Sequence, residues 1–284
     1  MSLARHGTGV RGSLGALGSQ VHPVFMLPPV AVSLFGAVLA RSLDPTLAAL
    51  HVVATFCAVY TAHVTDGYVD FYVRDEDDDH PLTVTGCRVA RGLSSLGFWA
   101  AVAGIYRLVG PGGALLTIPC WVIAVLHAPQ LDVNPVGATV GYPLGVALTL
   151  LGGYYVQAET LTATPVALAG VFLVFLSGIK IVDDAQDYDY DRSIAKQTVA
   201  VVLGPHRAHR LADALLALGM ATVAGLAVFT PALPPSALAA PLVFAPVALL
   251  AREAGPELAT MLLIRGSYVF LAALVAAVWF QPLV

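Results

Sequence analysis

The segment Lys180-Ile-Val-Asp183-Asp184-Ala-Gln-Asp187-Tyr-Asp189-Tyr-Asp191-Arg192 closes an apolar run with one ammonium and five carboxylates. On a helix, Lys180, Asp184, Asp187 and Asp191 fall at i, i+4, i+7 and i+11, a single stripe. Carboxylates on one face repel one another unless a cation lies between them. Mg²⁺ suits such a face, because it takes hard oxygen ligands, commonly one or two carboxylates completed by waters and substrate phosphates. A second segment, His63-Val-Thr-Asp66-Gly-Tyr-Val-Asp70-Phe-Tyr-Val-Arg74-Asp75, repeats the logic, with Asp66 and Asp70 at i and i+4 and with His63 and Arg74 on the same side. Two carboxylate walls facing across a cavity would hold metal ions that bridge a diphosphate. Lys180, Arg74, Arg192 and Lys196 would bring positive charge to its oxygens. A diphosphate held in this way is a good leaving group, since positive charge sits where negative charge develops as the C–O bond breaks.

Other chemistries fit these residues less well. Asp75, Asp77 and Asp79 mimic positions 1, 3 and 5 of a calcium loop, but His80 stands at the glycine position and Gly86 at the position of the final glutamate. The run Glu76 to Asp79 reads as a solvated loop. Intramembrane acids also mark ion and proton pathways, so an ion-coupled transporter is the rival of a different class. It accounts less naturally for acids that sit at span ends and are followed by basic residues.

The elements that must position these groups are membrane spans. The chain has 284 residues, 58% of them apolar and only 11% charged, with mean hydropathy +0.80. A soluble domain carries roughly twice that share of charge. Of the 18 acids, twelve lie between Asp66 and Asp79 or between Asp183 and Asp191. Crossing the hydrocarbon takes about 20 apolar residues; such stretches are expected at 24–41, 46–70, 92–109, 113–128, 137–156, 164–183, 211–229, 236–251 and 265–282. With the N-terminus inside, eleven of the 14 basic residues fall on the cytoplasmic side and two outside, which places both acid clusters at the cytoplasmic face. Residues 1–23, rich in Gly and Ser, read as a cytoplasmic lead-in rather than a signal peptide, and residues 24–284 as one all-α domain. Net charge of −4 with scattered basic residues excludes a nucleic-acid partner. Three cysteines without a CxxC argue against a disulfide scaffold or zinc site. Gly137, Gly141 and Gly145 form a GxxxG repeat, suited to close helix packing within the chain or, less simply, to dimerisation.

Taken together, these motifs resemble those of the UbiA superfamily of intramembrane prenyltransferases. Asp184, Asp187 and Asp191, with Lys196-Gln-Thr198 and Gly204 downstream, resemble its DxxDxxxD motif and the K-x-T…LG stretch after it. Asp66 and Asp70 resemble the first two positions of NxxxDxxxD, and His80-Pro81-Leu82 its Arg-Pro-Leu. Three positions depart from the pattern. Arg74 stands where the third acid of the first motif belongs, with Asp75 one residue on, so either a local bulge presents Asp75 or Arg74 contacts phosphate directly. Leu131-Asp132 stands where a Leu-Lys pair is common, and His22-Pro23 where Arg-Pro often opens the first span.

The resemblance implies a polytopic all-α membrane enzyme with about nine helices around a central cavity. It implies Mg²⁺ as cofactor, a polyprenyl diphosphate as donor and a hydrophobic, lipid-phase acceptor. Metal and catalytic roles fall on Asp66, Asp70, Asp184, Asp187 and Asp191, and accessory diphosphate contacts on Arg192 and Lys196. Asp75, Asp183 and His63 stay open as further site residues, and Lys180 is either a cavity cation or the salt-bridge partner of Asp184. Phe98, Trp99, Tyr142, Tyr154, Tyr155, Phe172 and Phe175 are available to stabilise a carbocation, with core packing the plainer role for most. A terpene cyclase of the same superfamily is the alternative outcome on the same fold.

Overall fold

The computed structural model describes residues 2–281. Nine long helices run through it: α2 (Pro23–Leu39), α3 (Pro45–Tyr72), α4 (Val84–Val109), α5 (Pro111–Leu126), α6 (Pro135–Ala158), α7 (Ala163–Gln186), α10 (Pro205–Phe229), α11 (Ala239–Glu253) and α12 (Pro256–Phe280). Three short helices, α1 (Gly9–Gly18), α8 (Tyr188–Ser193) and α9 (Val199–Leu203), lie at the ends of the long ones. Eight of the long helices, α11 with the turn before it, are apolar and long enough to cross a membrane; α2 joins them when taken with α1, from which it bends by 65°. Each span expected from hydropathy is present. Three of them, α4, α10 and α12, begin six to nine residues early, because capping extends them past the apolar stretch: Thr83 caps α4 by accepting from Gly86 N, and Pro205 and Pro256 occupy the first helical turn.

The helices form two flanks around a centre. α3 packs on α4 and α5, α11 packs on α12, and α2, α6 and α7 lie between them, with α10 against α7. Phe175, Phe244 and Phe270 lock α7, α11 and α12 together, with ring centroids 4.5–6.0 Å apart. Phe98, Trp99 and Trp121 do the same for α4 and α5.

The closest backbone approach joins α2 to α6. A Cβ at Gly36 would strike Leu150 O, and one at Gly153 would strike Ser33 O, so the two helices touch only because both positions are glycine. The GxxxG repeat earlier in α6 has a different job. Gly137 makes room for Leu131 O in the preceding turn, whereas a Cβ at Gly145 would meet open space; Gly145 meets α5 only through its carbonyl, 3.9 Å from Cys120 Sγ.

Candidate functional site

A cavity of about 690 Å³ opens between α2, α3, α5, α6 and α7. Its inner part is apolar, walled by Phe25, Pro29, Ala58, Ile123, Val146 and Ile179, and its mouth is polar, with Asp66, Asp70, Lys180 and Asp183. Asp44 starts the carboxylate-bearing helix by accepting from Thr46 N and Leu47 N at 2.7 and 3.1 Å, which leaves α3 running unbroken to the mouth. Along α3, His63, Asp66, Gly67 and Asp70 all line the cavity, at i, i+3, i+4 and i+7. His22 stacks on His63 with ring centroids 5.1 Å apart, and His127 Nε2 lies 4.0 Å from Asp66 Oδ1. Of the aromatic candidates, Tyr142 alone lines the cavity; its hydroxyl donates to Phe25 O at 3.0 Å. Phe98, Trp99, Phe172 and Phe175 belong to the aromatic packing between helices.

The second acid segment is not one helical stripe. α7 ends at Gln186, Asp187 leaves helical geometry (φ −95°, ψ 15°), and α8 starts afresh at Tyr188. The break spares a continuous helix a stack of like charges at i, i+4 spacing. It also separates the acids. Asp183, with Lys180, faces the cavity. Asp184 is buried at 4% exposure and bound to Lys180 at 2.6 Å, while Lys180 also holds Asp183 at 2.9 Å. Lys180 is therefore both cavity cation and salt-bridge partner. Asp187 is exposed and Asp191 buried, with Lys196 3.3 Å from Asp191; Arg192 points to solvent. Neither Asp184, Asp187 nor Asp191 borders the cavity.

Arg74 and Asp132, far apart in the sequence, meet at the mouth. α3 ends with Asp75 in the left-handed region (φ 57°), and Glu76 N donates back to Asp70 O at 2.8 Å. That turn sends Asp75 outward to solvent and curls Arg74 inward. Its Nη1 lies 3.2 Å from Asp70 Oδ1 and 2.6 Å from Asp132 Oδ2. Asp132 is thus the counter-ion of Arg74 and ties the turn after α3 to the α5–α6 connection.

Residues 2–22 are built into the mouth rather than trailing from it. Arg5 N donates to Pro81 O and Thr83 N to Leu3 O, both at 2.9 Å. The Arg5 guanidinium covers Phe71 at 4.3 Å, and Tyr60 donates to Leu17 O at 2.8 Å. Ser19, Gln20 and His22 line the cavity from this segment, and Asp77 and Asp79 from the α3–α4 loop. His6 and Arg5 fix Asp79 at 2.8 and 3.3 Å. The hydrogen bond from His6 holds the Asp79 carboxyl below the usual range.

Among the described residues, no three His, Cys, Asp or Glu side chains form a preassembled metal cage. Mg²⁺ does not require one, since it keeps waters and phosphate oxygens in most of its octahedron. The donors present fit that mode: Asp66, Asp70 and Asp183 reach one cavity from two helices. Behind them, Asp184 and Asp132 each bind a cation through one oxygen and bury the other without a hydrogen-bond partner, and Asp191 is paired with Lys196. Partial desolvation, reinforced by Asp183 and Asp191, raises the Asp187 carboxyl above its ordinary range. Desolvation likewise raises buried Asp191 and, in part, exposed Glu76, against the pull of Lys196 on each.

No protein-family model and no curated protein matches the sequence. Solved structures do. One described as digeranylgeranylglyceryl phosphate synthase superposes with TM-score 0.72 at 14% identity, over 95% of this chain and 99% of that one. A UbiA homologue from Archaeoglobus fulgidus bound to GPP and Mg²⁺ gives 0.67 at 15%, over 95% and 99%. An apo UbiA homologue from Aeropyrum pernix K1 gives 0.68 at 18%, over 89% and 96%. The chain shares the fold of these proteins along nearly its whole length.

Proposed function

We propose that this protein with the fold of UbiA homologues is an intramembrane prenyltransferase, moving an isoprenyl group from a polyprenyl diphosphate to a lipid-phase acceptor. The observation that carries the reading is the cavity itself: carboxylates and a lysine at its mouth, an apolar chamber beneath them. The structures of fold relatives bound to GPP or DMAPP with Mg²⁺ support the same donor class. The distribution of basic residues supports a mouth that opens on the cytoplasmic side of the membrane.

Asp66, Asp70 and Asp183 would hold Mg²⁺, with Asp184, Asp187 and Asp191 forming the acid ground behind them. Mg²⁺ bound there supplies charge neutralisation for the departing diphosphate. Lys180 presents its ammonium to the same oxygens, held in place by Asp183 and Asp184. Arg74 keeps Asp70 aimed at the cavity by bonding one of its oxygens and leaving the other free. The apolar wall excludes water from the allylic carbon as its bond to oxygen breaks, and the faces of Phe25 and Tyr142 offer π density to the positive charge.

The test is incubation of purified protein in detergent with labelled geranylgeranyl diphosphate and Mg²⁺. Release of pyrophosphate, lost in Asp70→Asn, is expected. Neither binding nor release with any chain length would overturn the reading. A hydrocarbon or alcohol product formed without acceptor would instead assign the cyclase outcome.

A further inference from the structure

We propose that the Nε2–H of His80 is a neutral hydrogen-bond donor to a terminal phosphate oxygen of the diphosphate, a second anchor beside the carboxylates. The proposal rests on the reading of the cavity as a diphosphate site and adds a residue to it. His80 lies in the α3–α4 loop, is 3% exposed and lines the cavity. Its ring packs among Phe71 and Tyr72.

The backbone decides its tautomer. Nδ1 sits 3.1 Å from Leu82 O and 3.2 Å from Leu82 N. Leu82 O already accepts the Tyr72 hydroxyl at 2.8 Å, whereas the buried Leu82 N–H has Nδ1 as its acceptor. Only an Nδ1 that accepts leaves both backbone groups satisfied. The proton then resides on Nε2, and Nε2 has no partner among the described residues. A buried N–H without an acceptor is costly unless a ligand supplies one.

Its position points to the ligand. The ring sits directly over Gly67, where a Cβ would come within 2.9 Å of Nε2. Gly67 lies between Asp66 and Asp70 on the stripe of α3 that lines the cavity, so a diphosphate held at those carboxylates lies within a helical turn of the donor. Gln20 lines the same corner from the N-terminal segment.

Isothermal titration of the full-length protein in detergent with Mg²⁺ and inorganic pyrophosphate tests this, comparing wild type, His80→Phe and His80→Gln. Both substitutions remove the acceptor for Leu82 N–H; only Gln keeps an N–H donor at the ring's outer edge. A hydrogen bond to a charged partner predicts pyrophosphate binding weakened about ten- to a hundredfold in the Phe variant and largely recovered in Gln. Titration with Mg²⁺ alone should not change. Equal losses in Phe and Gln, unaltered binding in Phe, or a matching loss of Mg²⁺ affinity would each overturn the assignment while leaving the diphosphate site intact. If the wild-type protein binds no pyrophosphate at all, or binds it regardless of Asp70→Asn, the underlying functional reading falls first.

Discussion

Arg74 and Asp132 show what a single charge does when its partner moves with it. Each has a mostly buried side chain, 13% and 11% exposed, and removing one leaves the other charged and without its counter-ion in a place where water reaches poorly. Such a loss costs about 3 kcal/mol. Arg74→Asp and Asp132→Arg should therefore each lower the unfolding temperature in detergent and cut turnover. The double variant, which restores the ion pair in the reversed order, should regain most of both; a double variant as damaged as the sum of its parents would show that the pair is incidental. That Asp66, Asp70 and His63 share one side of a helix, and so line one cavity, is legible in their spacing. The place of Asp132 is not, since 58 positions separate it from Arg74 and only the folded chain joins them. His80 stands out in the sequence only as part of His80-Pro81-Leu82, because the role of its ring depends on which backbone group its other nitrogen serves.

Among the elements, the long helices followed from hydropathy, and their early starts from the caps that hydropathy does not weigh. The break at Asp187 did not follow. Periodicity extends a helix until a proline or glycine stops it, and none stands there; the break lies where acids crowd and where Asp191 meets Lys196. The small-residue signal likewise pointed to the wrong half of α6. Gly137 and Gly141 match a motif, yet Gly153 opposite Gly36 sets the helix contact. Gly153→Val should force α2 from α6 and destabilise the protein by about 1–3 kcal/mol, read as a lower unfolding temperature. Because α2 carries His22, Phe25 and Pro29 into the cavity wall, substrate affinity should fall with it. Gly145→Ala, which meets no atom within 4 Å, should fold normally; instability there equal to that at Gly153 would contradict this packing.

For the whole molecule, the acid mouth is a stability debt at neutral pH. The Asp187, Asp191 and Glu76 carboxyls are raised by desolvation at the mouth and by neighbouring acids, so the fold favours their protonated forms. Their contribution is full below the ordinary carboxylate range and is lost as pH climbs through the raised values. Divalent metal at the mouth offsets that loss. Mg²⁺ should accordingly raise the unfolding temperature more near neutrality than in acid, measured by fluorimetry in detergent across a pH series; a shift independent of pH would refute the link. The N-terminal segment, whose Gly and Ser composition read as a lead-in, belongs to this same mouth through strand-like pairing with Leu82, a long-range contact that composition does not carry. Finally, the Arg74–Asp132 pair works as a clasp: it joins the turn after α3 to the α5–α6 connection, so these two walls of the mouth cannot part without stranding a charge.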